Sequence, residues 1–230
     1  LSGWGAYYTA RYEDAGRSFR SAWNERRTWA SWSALGMGKV CSDLGHWYDS
    51  GMWILCALST ARIENDLYRM SECYGALGEV LLRGGCPKQA YEQFAADTGL
   101  LPPGSGHALR LTNYRGICLG RLGHPELAEP LLWQAFYAGL ERDPGSAGFS
   151  CASLLALSVH HRDEALADRV ERERQRCGLE LRDMPGGFGQ ICAAYWALNG
   201  RTRKREEARR ALVRARSVFE KHYPIESHWS

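Results

Sequence analysis

Two short stretches of the sequence resemble motifs that act on phosphates and acyl groups. Gly36-Met37-Gly38-Lys39 resembles the end of a phosphate-binding loop, but the first glycine of that motif and the Ser/Thr after its lysine are missing. The sequence GFSCA at 148–152 resembles the turn that presents a nucleophilic serine. That turn needs a preceding strand, and the sequence predicts none. Close helix packing is the better interpretation of the glycines, so neither stretch predicts catalysis.

Two groups of side chains have the chemistry of metal ligands. Cys41 lies near His46, and His160-His161 precedes Asp163. A structural zinc site needs four ligands, usually as two closely spaced pairs, and neither group offers two such pairs. No carboxylate pair or Ser/His/Asp set stands out either. We therefore expect no metal, no cofactor and no enzymatic activity.

The composition is that of a soluble globular protein. Of the 230 residues, 45% are apolar and 24% are charged. No apolar run approaches the roughly 20 residues that cross a bilayer, so we expect no membrane partner. The eight cysteines are evenly spread and never form Cys-x-x-Cys. This usage predicts mostly small buried thiols in a reducing compartment, the cytoplasm.

The charge is unevenly distributed along the chain. Residues 201–221 contain nine Lys or Arg against three Glu, whereas the whole chain carries a net charge of only +3. A basic helix of this kind could meet nucleic acid or an acidic partner. A solvated helix face is the commoner explanation, and we do not expect a nucleic-acid partner.

A small residue followed four positions later by a large apolar one recurs along the chain. These marker pairs are Ala15/Phe19, Gly51/Leu55, Ala90/Phe94, Ala128/Leu132 and Ala208/Leu212. A further pair is expected near Ala165, where Arg169 breaks the pattern unless the frame shifts to Leu166/Val170. Successive small residues, Ala165 included, are 36, 39, 38, 37 and 43 positions apart. Such a period is typical of helical repeat proteins.

Each marker pair follows another predicted helix, and five of these helices have a small residue at a matching position. These small residues are Gly36, Gly78, Gly116, Ser153 and Ala193. They would let two antiparallel helices approach closely, while the large marker residue fills the gap between them. Glycine-containing turns separate the two helices, with the sequences DLGHW (43–47), RGGCP (83–87), RLGHP (121–125) and LNGRT (198–202).

The predicted fold is all-α, because Val and Ile are scarce and alternating apolar/polar stretches are absent. About twelve helices would form about six antiparallel pairs in a single helical repeat domain over 1–230. Stacked pairs of this kind form a superhelix, or α-solenoid. Leu1 falls inside the first predicted helix, so we expect a truncated first repeat in a segment of a larger protein.

Two of the repeats resemble the tetratricopeptide repeat. The matching residues of one are Tyr74, Leu77-Gly78, Leu81, Gly85, Ala90, Phe94 and Pro102, and those of the next are Gly116, Leu119, Gly123, Ala128, Leu132 and Ala135. The units are longer than the 34 residues of that family. They are closer to the divergent helical repeats in sensor regions of bacterial signalling ATPases and large LuxR-type regulators. The resemblance implies a right-handed superhelix that binds proteins or peptides.

The candidate binding residues lie on the first helix of each pair, which lines the concave groove of a superhelix. Helical spacing places Glu79 and Arg83 on one stripe, and Arg110, Asn113 and Arg121 on the next. Arginine can clamp a carboxylate or phosphate with two hydrogen bonds. The resemblance implies that the arginines and the asparagine bind peptide backbones or C-terminal carboxylates. The alternative is that all five are hydrated surface residues.

Aromatic residues crowd the first quarter of the chain, and they include Tyr7, Tyr8, Trp23, Trp29, Trp32, Trp47 and Trp53. Most should fill the core between helices. Exposed aromatic side chains would form an apolar surface patch on a terminal repeat that lacks a polar outer face. We therefore expect self-association through this aromatic-rich end.

We predict a protein- or peptide-binding docking segment of a regulatory protein. Two alternatives stay open. A small-molecule sensor would have a deep, closed pocket, and an RNA-binding repeat protein would use the basic run at 201–221.

Overall fold

The computed structural model of the chain describes residues 3–9, 11–25, 30–96, 100–102, 105–142 and 144–179. Over these residues the protein is helical and has no strand, as the sequence predicts. The helices are α1 Gly3–Tyr8, α2 Tyr12–Asn24, α3 Ala30–Asp43, α4 Trp47–Ile63, α5 Leu67–Arg83, α6 Pro87–Ala96, α7 Gly106–Arg121, α8 Pro125–Arg142, α9 Pro144–His161 and α10 Glu164–Arg176. Ala193, the marker pair Ala208/Leu212 and the basic run 201–221 lie outside the described residues.

The chain divides into two compact units. Unit 1 is Leu1–Pro103, with α1 to α6, and unit 2 is Gly104–Ser230, with α7 to α10. Within each unit, every helix packs on the next one in the chain. The first helices of successive pairs also pack directly on each other: α1 on α3, α3 on α5, and α7 on α9.

The predicted pairing of small and large residues is confirmed in two repeats. Phe94 is 0% exposed, and a Cβ atom placed on Gly78 would lie 2.5 Å from its ring. In unit 2, a Cβ on Gly116 would lie 2.7 Å from the side chain of Leu132, which is also 0% exposed. Real side chains do not pack this closely. Glycine is therefore what lets the two helices of each pair approach.

The predicted frame is wrong in the second repeat. Leu55 is 47% exposed, whereas Ile54 is 0% exposed and lies 2.5 Å from a Cβ placed on Gly38. The hydroxyl of Ser50 donates a hydrogen bond to the Gly38 carbonyl at 2.7 Å, so Ser50/Ile54 is the inward pair. Because α4 is apolar almost all round, its sequence does not define the buried face. Gly36 packs on Phe19 of the preceding pair instead.

In the fifth repeat the shifted frame holds. Leu166 and Val170 are 4% and 1% exposed, whereas Ala165 and Arg169 are exposed. The repeating pair of buried residues is therefore Leu166/Val170 in α10, and this choice keeps Arg169 out of the core.

Three of the four predicted glycine turns end their helices as expected, and the fourth, at 198–202, lies outside the described residues. Gly45, Gly85 and Gly123 have φ of 78°, 77° and 86°, a conformation that costs glycine little. In each case the next residue's N–H bonds back to a carbonyl five positions earlier, as for Cys86 and Leu81 at 2.9 Å. This is the hydrogen bond of a Schellman helix end, and it fixes where each first helix stops.

Candidate functional site

In unit 1 the predicted site residue Arg83 lies against an acidic side chain. Its Nη1 donates to Asp43 Oδ1 at 2.9 Å and to the Ser42 hydroxyl at 3.1 Å, both on α3. The Arg83 side chain is 42% exposed and that of Asp43 is 8% exposed. The charge that was expected to bind an external anion is thus offset by a carboxylate of the neighbouring first helix.

Asp43 also accepts a hydrogen bond from α1, so it links three first helices. The Tyr7 hydroxyl donates to Asp43 Oδ2 at 2.7 Å. Burial, followed by the negative charge of Asp43, raises the pKa of Tyr7 above its usual range, and Glu79 adds to the same effect. Tyr7 therefore stays protonated and donates. Of the two predicted site residues in unit 1, Arg83 joins this network and Glu79 lies close enough to act on it.

A second charge pair lies on the same faces of α3 and α5. Lys39 Nζ is 3.7 Å from Glu72 Oε2, and both side chains are largely buried. The same ammonium group lies 6.0 Å from the centre of the Trp4 ring on α1. The first helices of unit 1 therefore meet along a seam of opposite charges, which sequence spacing within α5 could not reveal.

In unit 2 the structure places Asn113 between two helices. It is 1% exposed, and its Nδ2 donates to the Ser153 hydroxyl of α9 at 3.1 Å. Ser153 in turn donates to the Phe149 carbonyl at 2.9 Å. At the other end of α7, His161 Nε2 lies 3.2 Å from the Gly120 carbonyl, which can only accept. Both contacts join residues about 40 positions apart, so α7 and α9 run parallel.

The other two predicted site residues of unit 2 are closer to the surface. Arg110 Nη2 donates to His107 Nδ1 at 3.0 Å and is half-buried. Arg121 is exposed at the last position of α7. Neither α7 nor α9 contains any Asp or Glu, whereas α8 and α10 do. The fully charged residues of these two first helices are thus all arginines of α7, whereas the first helices of unit 1 carry both signs of charge.

Arg121 also borders a cavity that the sequence did not predict. The cavity has a volume of about 170 Å³ and is lined by residues of α7, α8 and α9, among them Ser153 and His160. The recurring small residues Gly116 and Gly120 on α7 were the available signal, because glycines four positions apart leave a helix face without side chains.

The two stretches with motif-like chemistry lie inside helices, residues 36–39 in α3 and residues 148–152 in α9. Gly36 and Gly38 lie inside α3, packed on Phe19 and Ile54, as helix packing predicted. Among the described residues, no group of three or more His, Cys, Asp or Glu could hold a metal ion. Within the same ranges, no helix combines the length and apolarity that a membrane crossing requires.

The cysteines of the described ranges are all free thiols. Three are buried, three are half-buried and Cys56 is exposed, so the expectation that most are buried is confirmed only for Cys73, Cys118 and Cys151. Burial raises the pKa of Cys73 and of Cys118 to about 12. These two thiols are therefore protonated at neutral pH and are not nucleophiles.

No protein-family model, curated protein or solved structure matches this chain.

Proposed function

We propose that the protein is a non-enzymatic, cytoplasmic docking segment of a larger regulatory protein. Its fold would be a right-handed superhelix of about six helix pairs of the tetratricopeptide type, and its ligand a protein or peptide. The observation that carries the proposal is the direct packing of successive first helices within each unit. Helix pairs that stack in this way present their first helices together as one binding face.

The partner segment is anionic, and it binds the first-helix face of unit 2. Arg110 and Arg121 both lie on α7, and neither α7 nor the adjacent first helix α9 contains an Asp or Glu that would repel an acidic side chain or a C-terminal carboxylate. In unit 1, by contrast, Asp43 and Glu72 already offset Arg83 and Lys39. Of the five predicted site residues, we assign the partner contact to Arg110 and Arg121, because the helix that carries them and the first helix packed on it contain no Asp or Glu.

A peptide library with free C-termini tests this proposal. Enriched peptides should be acidic or should require their terminal carboxylate. Charge-assisted hydrogen bonds contribute about 1.5–3 kcal/mol each. Arg110→Gln/Arg121→Gln should therefore weaken binding at least about tenfold in fluorescence anisotropy. The matched control is Lys88→Gln/Arg172→Gln, which removes the same charge from exposed positions of the second helices α6 and α10.

Failure to enrich any peptide, or an equal loss of affinity in both double variants, would contradict docking on this face. Circular dichroism should show unchanged helicity, because all four side chains are at least partly exposed.

The sequence also predicted self-association through the aromatic-rich end, and we propose a specific surface for it. One face of α4 exposes an apolar stripe; its large members Tyr48, Met52, Leu55 and Ile63 are 47–85% exposed, and Cys56 and Ser59 lie between them. By contrast, Trp23 and Trp53 pack against the core, as predicted for most of the aromatics. Trp29 lies outside the described residues.

The stripe is symmetric about a point between Leu55 and Cys56. Tyr48 and Ile63 are equally far from that point along the helix, and so are Asp49 and Arg62 at its two ends. An antiparallel second copy of α4 would therefore place Tyr48 against Ile63 and Leu55 against Cys56, and the acidic end on the basic end. Such a self-complementary patch is what a two-fold dimer requires.

Sedimentation equilibrium tests the dimer. Met52→Lys/Leu55→Lys should shift a concentration-dependent dimer to monomer, because it places four charges in the contact. Leu122→Lys/Leu127→Lys, at exposed positions of unit 2, should leave the dimer intact. A short bismaleimide should join two copies through Cys56. A wild-type protein that stays monomeric at all concentrations would exclude this contact.

A further inference from the structure

The cavity of unit 2 is a by-product of close helix packing. Leu132 of α8 packs on Gly116 of α7, and Leu157 of α9 packs on Gly120. A Cβ atom added to Gly116 would lie 2.7 Å from the Leu132 side chain, and one added to Gly120 would lie 2.6 Å from the Leu157 side chain. The glycines leave the α7 backbone bare between these contacts. The resulting space of about 170 Å³ is large enough for a benzene-sized molecule.

The walls of the cavity are apolar and its polar groups are at its two ends. Ile117, Leu132 and Leu157 form the walls. Because α7 and α9 run parallel, Arg121 and His160 lie at the same end, near the last turns of both helices. Ser153 lies at the other end, roughly 10 Å away, because it precedes His160 by seven positions and each position adds about 1.5 Å along the helix.

The two ends differ in what they offer a ligand. The Ser153 hydroxyl already donates to Phe149 and accepts from Asn113, so it adds at most one more acceptor position. The other end has an arginine and an imidazole, both exposed, and none of the described residues that line the cavity is an Asp or Glu. The site therefore favours a ligand with one anionic group and an apolar body.

We propose that this cavity binds a small organic monocarboxylate. The apolar body, about the size of a benzene ring or a branched chain of four or five carbons, lies between Leu132, Leu157 and Ile117. The carboxylate accepts hydrogen bonds from Arg121 and His160. The carbonyl ends of α7 and α9 point toward this same end and disfavour an anion, so binding of the carboxylate depends on its hydrogen bonds with Arg121 and His160. Ligand binding here goes beyond peptide docking and does not require it.

Benzoate is the probe, and its neutral relative benzamide is the matched comparison. Titration calorimetry on the full chain should give a dissociation constant for benzoate that is roughly millimolar or tighter. Benzamide should bind about tenfold more weakly, because it lacks the charge that Arg121 attracts. Arg121→Gln should remove the preference for the acid, whereas Arg172→Gln on α10 should keep it.

A second variant tests the cavity independently of charge. Ala156 borders the cavity on α9, and Ala156→Leu should fill it and weaken both ligands about tenfold. Ala95→Leu, on α6 of unit 1, is the control. In the wild-type protein, nuclear Overhauser transfer should connect the benzoate ring protons with methyl groups of Leu132 and Leu157, and this measurement needs no folded variant.

Equal affinity for benzoate and benzamide, or no transfer to these methyl groups, would overturn the proposal. The benzoate experiment can fail or succeed independently of the peptide-docking experiment. Ala156→Leu should lose benzoate but keep any peptide selected on the wild-type surface. Failure of the peptide selection would leave the benzoate result unaffected.

Discussion

Replacement of Phe94 by alanine is expected to lower the free energy of unfolding by about 3–5 kcal/mol. The ring is fully buried and fills the space left by Gly78, so alanine would leave a cavity between α5 and α6. Urea denaturation followed by far-ultraviolet circular dichroism measures the change. If the two units unfold separately, the loss should appear in only one of the two transitions.

The neighbouring residues Ile54 and Leu55 supply the control. Both are aliphatic and adjacent on α4, but Ile54 is 0% and Leu55 47% exposed. At concentrations where the protein is monomeric, Ile54→Ala should cost about 2–5 kcal/mol, and Leu55→Ala well under about 1 kcal/mol. Equal losses at the two positions would mean that α4 does not bury the face described, and a small loss at Phe94 would contradict the packing of that repeat.

Replacement of Asp43 by alanine is expected to lower the free energy of unfolding by about 2–3 kcal/mol. The carboxylate accepts from both Tyr7 and Arg83, so its removal leaves a buried hydroxyl unsatisfied and α1 and α5 without their common partner on α3. This loss of stability is smaller than the loss on breaking a fully buried ion pair, because the Arg83 side chain is 42% exposed and water can hydrate it. Urea denaturation again gives the value.

A double-mutant cycle separates the network from the loss of a single charge. Tyr7→Phe and Asp43→Ala should be non-additive by about 1 kcal/mol, because each removes the same hydrogen bond. Asp49→Ala, at an exposed position in the first turn of α4, should cost less than about 1 kcal/mol. Additive effects of Tyr7 and Asp43, or equal losses at Asp43 and Asp49, would contradict a structural role for the network.

Much of the helical organisation could be predicted from residue spacing. Glycine at 85 and 123 ends a helix because a left-handed residue satisfies the last carbonyls, and this is a local property of the chain. Phe94 and Leu132 are buried because a large residue four positions after an alanine lies on the same helix face. The fourth helix was the exception, since its apolar residues surround the axis and no periodicity defines a face.

The candidate site was less predictable because its chemistry depends on neighbours far away in the sequence. Spacing correctly placed Arg83 on a stripe of α5, but the partner that offsets its charge is Asp43, 40 residues earlier. Asn113 was expected on an open groove, and the structure places it against Ser153, also 40 residues away. One repeat length separates both pairs, so the contacts arise only when consecutive repeats stack.

By itself, the amino-acid sequence determined that the described chain is helical, where most helices end, and which large residues fill the gaps within a pair. These features depend on backbone conformation and on residues a few positions apart. Only the tertiary structure decided which charges are paired, that α7 packs directly on α9, and that a cavity borders Arg121. Those properties depend on the register between stacked helices, which is set by many weak packing contacts rather than by any local motif.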